Sequence, residues 1–226
     1  IATSIISDGV YPSIPNQTLL IYPPLYPLFV ATIYIFSIIG SYTSVYFVQY
    51  LLVGVMSILT LLISRRFSKA PLIIAFSAAL CVLFWPYFVL YSQLISSEVL
   101  YSLLLILFFF LFLSVRKDSS WAVVALSGIT LGLTILTRPV ALLLFPWMMI
   151  GLWIISKTLN IFQDHSIPWK KYLIVFLISI SLLVPWTVYI HKTYDRIIPI
   201  ASNLGNVFNK ANKTMAYLPD TEKPSV

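Results

Sequence analysis

The chain has 226 residues, of which 60% are hydrophobic and only 9% are charged. This balance excludes an ordinary water-soluble globular domain, in which about a quarter of the residues carry a charge. The formal net charge of +7 does not indicate nucleic-acid binding, because the basic residues cluster at the ends of apolar segments, as in membrane proteins. The sequence therefore predicts an all-α polytopic membrane protein, and its single cysteine excludes an internal disulfide.

Seven apolar segments follow one another along the chain. The first, residues 25–40, is short and follows Pro23 and Pro24, so we expect a juxtamembrane or re-entrant helix instead of a full crossing. The next six are candidates for membrane-spanning helices, which need about 20 residues. In one of them, Gly128 and Gly132 are spaced for close contact with a neighbouring helix. The six segments cover residues 42–64, 70–91, 99–115, 121–136, 139–156 and 172–190.

The loops between these segments alternate in charge. Residues 92–98 contain no lysine or arginine, whereas three other loops are basic. Because basic loops stay in the cytoplasm, residues 92–98, Arg138 and the tail from His191 are expected on the extracytoplasmic side. The basic loops carry Arg65, Arg66 and Lys69, then Arg116 and Lys117, then Lys157, Lys170 and Lys171.

This topology divides the chain into three parts. Residues 1–41 are expected to form an extracytoplasmic loop with the juxtamembrane helix, and residues 42–190 the transmembrane helix bundle. Residues 191–226 are expected to begin an extracytoplasmic C-terminal segment. The chain opens without a methionine or a visible signal peptide, so we expect a fragment of a larger, multi-pass protein of the plasma membrane.

Arg138 is the most informative residue, because it lies between two apolar segments. A guanidinium at mid-bilayer costs about 2.5–3.5 kcal/mol even on the milder scales, so it has to reach an interface, a water-filled cavity or an anion. One interpretation is a turn residue whose side chain extends to the lipid headgroups. The other is recognition of a phosphate, for which the planar guanidinium is well suited.

Glu98 differs from Asp118 and Asp164, which lie beside Lys and Arg in basic loops, because its own loop has no basic residue. It opens the next predicted helix, where the helix dipole favours a negative charge. Alternatively, it binds a metal, a substrate hydroxyl or a cationic group at the outer surface. Because Arg138 is expected on the same side, the two residues would suit a lipid-phosphate substrate. Three further candidates for substrate binding lie on that side: Tyr22, Tyr26 and His191.

Four short motifs, in order along the chain, resemble the membrane glycosyltransferases of the GT-C fold, in the bacterial branch akin to protein O-mannosyltransferases and aminoarabinose transferases. Residues 22–28, YPPLYPL, resemble the segment that follows the first external loop of that family. Residues 97–100, SEVL, are similar to its acidic residue at the start of a helix. Residues 127–139, SGITLGLTILTRP, resemble its glycine-rich helix that ends in a basic residue and proline. Residues 185–189, PWTVY, followed by IPI and NLGN, are similar to its last span and external extension.

The resemblance implies a GT-C-like helix bundle that transfers a sugar from a polyprenyl-phosphate-linked donor to a lipid, glycan or protein acceptor at the outer face of the membrane. In that family the phosphate contact would fall to Arg138, and Glu98 would be the catalytic candidate that orients the acceptor or an ion. The family's general base is expected upstream of Ile1, because Asp8 lies too late in the first loop. The cofactor stays open, with a divalent cation as the one candidate.

A transporter or flippase subunit that handles lipid-linked glycans is the alternative function. Such proteins place ionisable residues deep within several helices. None of the six predicted spans carries an internal Asp, Glu, Lys or Arg, which argues against coupled transport. A third hypothesis is an assembly subunit, in which Arg138 is an ordinary turn residue. Unchanged sugar transfer after substitution of Arg138 by alanine would remove the phosphate assignment.

Overall fold

The structure is a computed structural model that describes residues 5, 22–37, 42–66, 71–158, 168–195 and 200–201. Within these residues all regular elements are helices, which confirms the predicted all-α class for this part of the chain. The segments predicted to be external are residues 1–41 and 191–226. Of these, the structure describes only residues 5, 22–37, 191–195 and 200–201. The helices are α1 (Leu25–Phe36), α2 (Tyr42–Arg66), α3 (Leu72–Leu83), α4 (Pro86–Ser92), α5 (Glu98–Leu113), α6 (Trp121–Thr137), a 3-10 helix (Pro139–Leu143), α7 (Leu144–Thr158), α8 (Trp169–Ser181) and α9 (Val184–Tyr194).

Two helical stretches of the described chain are long and apolar enough to cross a membrane, and a third qualifies if a bent pair counts as one span. They are α2, with 25 residues, and the stretch Trp169–Tyr194, which joins α8 and α9. The bent pair is α3 with α4. Helices α5 and α6 have 16 and 17 residues, and about 24–26 Å of helix falls short of a hydrocarbon core of about 30 Å. The described chain is therefore α-helical with two to three candidate membrane spans by length and composition, and the six spans expected from the sequence stay a prediction.

Three of the predicted helices differ from the structure, and a proline lies at each difference. Residues 172–190 divide into α8 and α9 at Leu182 and Leu183, with Pro185 in the first turn of α9, although the two helices together form one candidate span. The segment predicted as one helix over residues 70–91 bends by 41° between α3 and α4. Pro86 is the first residue of α4, where its missing N–H costs no hydrogen bond, and Trp85 before it is extended. The segment predicted from residue 139 begins as the 3-10 helix that opens with Pro139, and the α-helix starts only at Leu144. Helix α1 ends at Phe36, so its 12 residues agree with a segment too short to cross.

The core lies where α5, α6 and α8 meet. Helix α6 packs against α5 on one side and α8 on the other, and α2 packs against α3 and α5. Phe108 and Phe112 of α5 are fully or almost fully buried beside Leu131 of α6 and Val175 of α8. The ring of Phe112 stacks on Tyr172 with a centroid distance of 4.7 Å. This cluster holds the ends of α5 and α6 in fixed relation to each other.

Gly128 and Gly132 allow α6 and α8 to approach closely. A Cβ added at Gly128 would lie 2.7 Å from Ile178 Cβ and 2.9 Å from the carbonyl oxygen of Val175. At Gly132 it would lie 3.0 Å from the carbonyl oxygen of Ser179. Real Cβ atoms essentially never show the shorter of these separations, so the predicted close contact at this glycine pair is confirmed.

The basic segments meet at one end of the bundle. The Lys171 ammonium donates hydrogen bonds of 3.0, 2.6 and 2.7 Å to the carbonyl oxygens of Arg116, Lys117 and Ser119. It also lies 5.5 Å from the centroid of the Trp121 ring. The ends of α5, α6 and α8 that carry these residues therefore share one end of the bundle, as the predicted alternation of loops requires. Which compartment this end faces stays a prediction.

Candidate functional site

Arg138 leaves the axis of α6 at the opposite end of the bundle. Its backbone N–H still donates to the carbonyl oxygen of Thr134 at 3.0 Å, but its φ of −146° and ψ of 119° are extended. The residue before a proline avoids the helical region, because the proline ring would clash with it, so Pro139 ends α6 at Thr137. This local break directs Arg138 toward the start of α5.

The guanidinium of Arg138 is held by three side chains from the first turn of α5. Its Nε donates to Ser97 Oγ at 3.1 Å, and its Nη2 donates to Oε1 of Glu98 in an ion pair. Its Cζ lies 5.6 Å from the centroid of the Tyr101 ring, at cation–π distance. Among the described residues, Nη1 makes no hydrogen bond, and the side chain is 37% exposed. The guanidinium is therefore oriented by the protein and keeps donors for an additional anion.

Glu98 combines the two roles that its position suggested. It is the first residue of α5, where the helix dipole favours the carboxylate, and it is paired with Arg138. The side chain is 17% exposed, so the pair is partly desolvated and stronger than a surface ion pair. Its second oxygen, Oε2, and the hydroxyl of Ser96 are buried without a hydrogen-bond partner among the described residues. This oxygen has acceptor capacity to spare, but a ligand hydroxyl reaches it only if the neighbouring side chains move.

Tyr26 joins the same cluster through Gln49, a residue that no sequence pattern marked as a site candidate. Its hydroxyl donates to Oε1 of Gln49 at 3.2 Å, and Gln49 is completely buried in α2. Burial raises the pKa of the Tyr26 hydroxyl, a backbone hydrogen bond at Ser96 opposes this, and the negative charge of Glu98 raises the pKa further. The hydroxyl therefore keeps its proton at neutral pH. One feature of the sequence could have identified Gln49: it is the only amide side chain within the predicted span 42–64.

Tyr22 and His191 are not among the contacts that hold Arg138. Those contacts all come from residues 97–101. Tyr22 is exposed just ahead of α1, and His191 is exposed in the last turn of α9. The structure thus brings together Glu98 and Arg138, with Tyr26 beside them, whereas a substrate contact by Tyr22 or His191 stays a prediction.

An apolar groove of about 530 Å³ runs between α1 and α2. One end of it reaches Phe29, whose ring centroid is 6.1 Å from that of Tyr26, and Val48, which precedes Gln49. The groove therefore borders the polar cluster. Its lining consists of Phe29, Thr32, Ile33, Phe36, Ser37, Thr43, Ser44, Phe47 and Val48.

The described residues do not fit a divalent cation on their own. No group of three or more His, Cys, Asp or Glu side chains comes together in the described part of the chain. At the candidate site Glu98 is a single acid, and one of its oxygens is already held by Arg138. Mg²⁺ is commonly held by one or two carboxylates together with water and substrate phosphates, so a cation at this site would need most of its ligands from outside the described residues.

No protein-family model, curated protein or solved structure matches this chain. The function therefore has to be argued from the cluster itself. It offers an oriented cation with free N–H groups, a carboxylate oxygen with free acceptor capacity, and a protonated phenol beside an apolar groove. This combination can bind an anionic headgroup and a hydroxyl next to a hydrocarbon chain.

Proposed function

We propose that this chain is the membrane part of a GT-C-type glycosyltransferase. The enzyme transfers a sugar from a polyprenyl-phosphate-linked donor to a lipid, glycan or protein acceptor. The bundle then has six spans in the plasma membrane, and the site faces the extracytoplasmic side. One observation carries the proposal: Arg138 is oriented by Ser97, Glu98 and Tyr101 with Nη1 free, at the end of the bundle away from the basic segments.

Arg138 supplies the electrostatic part of catalysis. When the sugar leaves, negative charge builds on the oxygen of the lipid phosphate, and a fixed guanidinium beside that oxygen lowers the barrier. The contacts from Ser97 and Tyr101 hold the group before substrate arrives, so little reorganisation is needed at the moment of reaction. Loss of one such fixed donor typically costs about 100- to 1,000-fold in kcat.

Glu98 contributes by orienting the acceptor. Its Oε1 stays with Arg138, while its Oε2, which is buried in the ligand-free chain, accepts a hydrogen bond from the acceptor hydroxyl once acceptor binding displaces the neighbouring side chains. Partial neutralisation of Arg138 by Glu98 also limits how tightly the phosphate product is held, which favours its release. We assign the general base to none of the described residues.

The groove between α1 and α2 accommodates the hydrocarbon chain of the donor. Its walls are mainly apolar, as a polyprenyl chain requires, and it borders Tyr26. The resemblance of residues 22–28 to the family's segment after the first external loop supports the same placement. A lipid bound there brings its phosphate toward the Arg138 cluster while its chain stays within the apolar phase.

The test is substitution of Arg138 in the full-length protein, reconstituted in lipid nanodiscs. We expect Arg138→Gln to weaken binding of a polyprenyl phosphate, to leave binding of the matching polyprenyl alcohol unchanged, and to abolish sugar transfer. Arg138→Lys keeps the positive charge but lacks the planar guanidinium. Its phosphate binding and its rate of sugar transfer should lie between those of wild type and Arg138→Gln. The matched control is Lys192→Gln, which removes an exposed positive charge at the same end of the bundle.

Two outcomes would contradict the proposal. Unchanged transfer by Arg138→Gln removes Arg138 from the reaction. Binding of lipid-linked sugars with no transfer by the wild type, even with varied acceptors, would instead favour the transporter or flippase hypothesis.

A further inference from the structure

Gln49 uses both donor protons and its carbonyl oxygen to connect three elements. Its Nε2 donates to the carbonyl oxygens of Ser92, at 3.0 Å, and Leu94, at 2.8 Å. Its Oε1 accepts the hydrogen bond of Tyr26 at 3.2 Å. The side chain is completely buried. An amide has two donor protons and a carbonyl oxygen, and here all three groups are occupied.

The two carbonyl oxygens belong to the end of α4 and the connection that follows it. Carbonyls at a helix C-terminus have no partner within the helix, and a buried one needs a donor from elsewhere. Gln49 supplies both donors and so fixes the position of the connection relative to α2. That connection leads directly to Ser97 and Glu98, which hold Arg138. On its other side, Gln49 fixes the hydroxyl of Tyr26 at the border of the groove.

We propose that Gln49 is a positioning residue of the lipid-phosphate site, an inference that rests on the proposed function. Gln49 does not touch the substrate. It sets the start of α5, and therefore the place of Glu98, relative to Tyr26 and Arg138. Loss of the amide leaves the buried carbonyl of Ser92 and the partly buried carbonyl of Leu94 without their donor, and the connection moves to reach other partners.

The opposing explanation is that Gln49 only stabilises helix packing, as buried polar groups in membrane bundles often do. Ser57 provides a matched comparison. It lies in the same helix, is buried, and its hydroxyl donates to the carbonyl oxygen of Ala79 at 2.7 Å. This bond joins α2 to α3, away from the Arg138 cluster. Ser57→Ala therefore removes a buried interhelical hydrogen bond without reaching the site.

The experiment measures binding of decaprenyl phosphate to the full chain in nanodiscs. We expect Gln49→Leu to weaken binding about tenfold, the effect of losing buried hydrogen bonds at the site, whereas Ser57→Ala stays within about twofold of wild type. Hydrogen exchange without lipid should show faster exchange of residues 93–97 in Gln49→Leu and no change there in Ser57→Ala.

Gln49→Glu adds a pH-dependent rescue that a packing role would not produce. The protonated acid keeps the shape, accepts from Tyr26 and donates to one carbonyl, whereas the ionised form has no donor for either carbonyl. The affinity of Gln49→Glu for decaprenyl phosphate, divided by that of wild type at the same pH, should therefore approach one at pH 5.5. At pH 8 this ratio should fall to the value found for Gln49→Leu. Comparison with wild type at each pH removes the titration of the phosphate probe, and the neighbouring charged groups Glu98 and Arg138 are the same in both proteins.

The outcomes separate this inference from the function on which it rests. If wild type does not bind decaprenyl phosphate, the proposed function fails, and with it the site that Gln49 positions. If wild type binds, but Gln49→Leu and Ser57→Ala have equal effects on binding and on exchange of residues 93–97, only the positioning role is refuted. If the affinity ratio of Gln49→Glu to wild type does not change with pH, the positioning role is also contradicted.

Discussion

The contact between α6 and α8 gives a quantitative test of the fold. Gly128→Ala adds one methyl group, which would lie 2.7 Å from Ile178 Cβ and 2.9 Å from the carbonyl oxygen of Val175. Both separations are well inside the optimal contact of about 3.5–4.0 Å. The Ile178 side chain has limited freedom within the contact, and the Val175 oxygen belongs to the backbone. Helix α8 therefore has to shift as a whole.

The expected magnitude follows from two opposing terms. An extra methyl in a well-packed contact costs about 1–3 kcal/mol, and the backbone contact at Val175 places Gly128→Ala at the upper end. Replacing a helical glycine by alanine returns about 1 kcal/mol of conformational free energy. We therefore expect a net loss of about 2 kcal/mol in the free energy of unfolding. Gly54 and Gly151 have no atom within 4 Å of an added Cβ, so alanine there should be neutral or stabilising by up to about 1 kcal/mol.

The assay is reversible unfolding in mixed micelles of a mild detergent with increasing SDS, followed by the fluorescence of the six tryptophans. Gly54→Ala and Gly151→Ala are measured in parallel as controls for helix propensity. The two classes of variant should differ by about 2–3 kcal/mol. If Gly128→Ala unfolds at the same SDS fraction as Gly54→Ala, the close approach of α6 and α8 is refuted.

Three further predictions concern the two ends of the bundle. Glu98→Gln should bind a polyprenyl phosphate several-fold more tightly, because the carboxylate no longer competes for Arg138, while sugar transfer falls; weaker binding would contradict the ion-pair argument. Lys171→Met should lower the free energy of unfolding by about 1–3 kcal/mol, because three carbonyl oxygens lose their donor; an unchanged SDS midpoint would contradict this. In a cysteine-free background, a membrane-impermeant maleimide should label Gln93→Cys on intact cells and Lys117→Cys only after permeabilisation, and the reverse pattern would invert the predicted topology.

The sequence predicted the helical class and the identity of the charged pair for physical reasons that act locally. An apolar run in water has to be buried, and the hydrogen bonds of a helix are satisfied within the run itself. A single Arg138 between such runs needs a partner wherever it lies, so it could be selected without a structure. That Glu98 and Arg138 lie at the same end of the bundle followed from the charge of the loops, whereas the side of the membrane stays a prediction. The break at Pro86 was readable from the proline, yet residues 70–91 were predicted as one uninterrupted helix. The helix boundary at Pro139 was predicted, but its 3-10 start was not.

The positioning role of Gln49 could not be predicted in this way, because its partners are remote in sequence. Tyr26, Ser92 and Leu94 lie 23, 43 and 45 residues away. Two of these partners are backbone carbonyls, which every residue has, so no side-chain pattern marks them. The contact of Arg138 with Ser97 is similar, since a serine at a helix start usually indicates only a cap. Long-range contacts of this kind require the fold.

Helices α5 and α6 form an antiparallel hairpin whose closed end is the short connection fixed by Lys171. Its other end is fastened by the side-chain contacts of Arg138 with Ser97, Glu98 and Tyr101. A phosphate bound at Nη1 of Arg138 adds to this fastening without displacing Glu98, so an occupied site resists separation of the two helix ends. Donor occupancy and helix spacing then share one equilibrium, and the donor lipid becomes a structural component of the bundle. The Tm of the protein should therefore rise with the logarithm of donor concentration once the site is saturated.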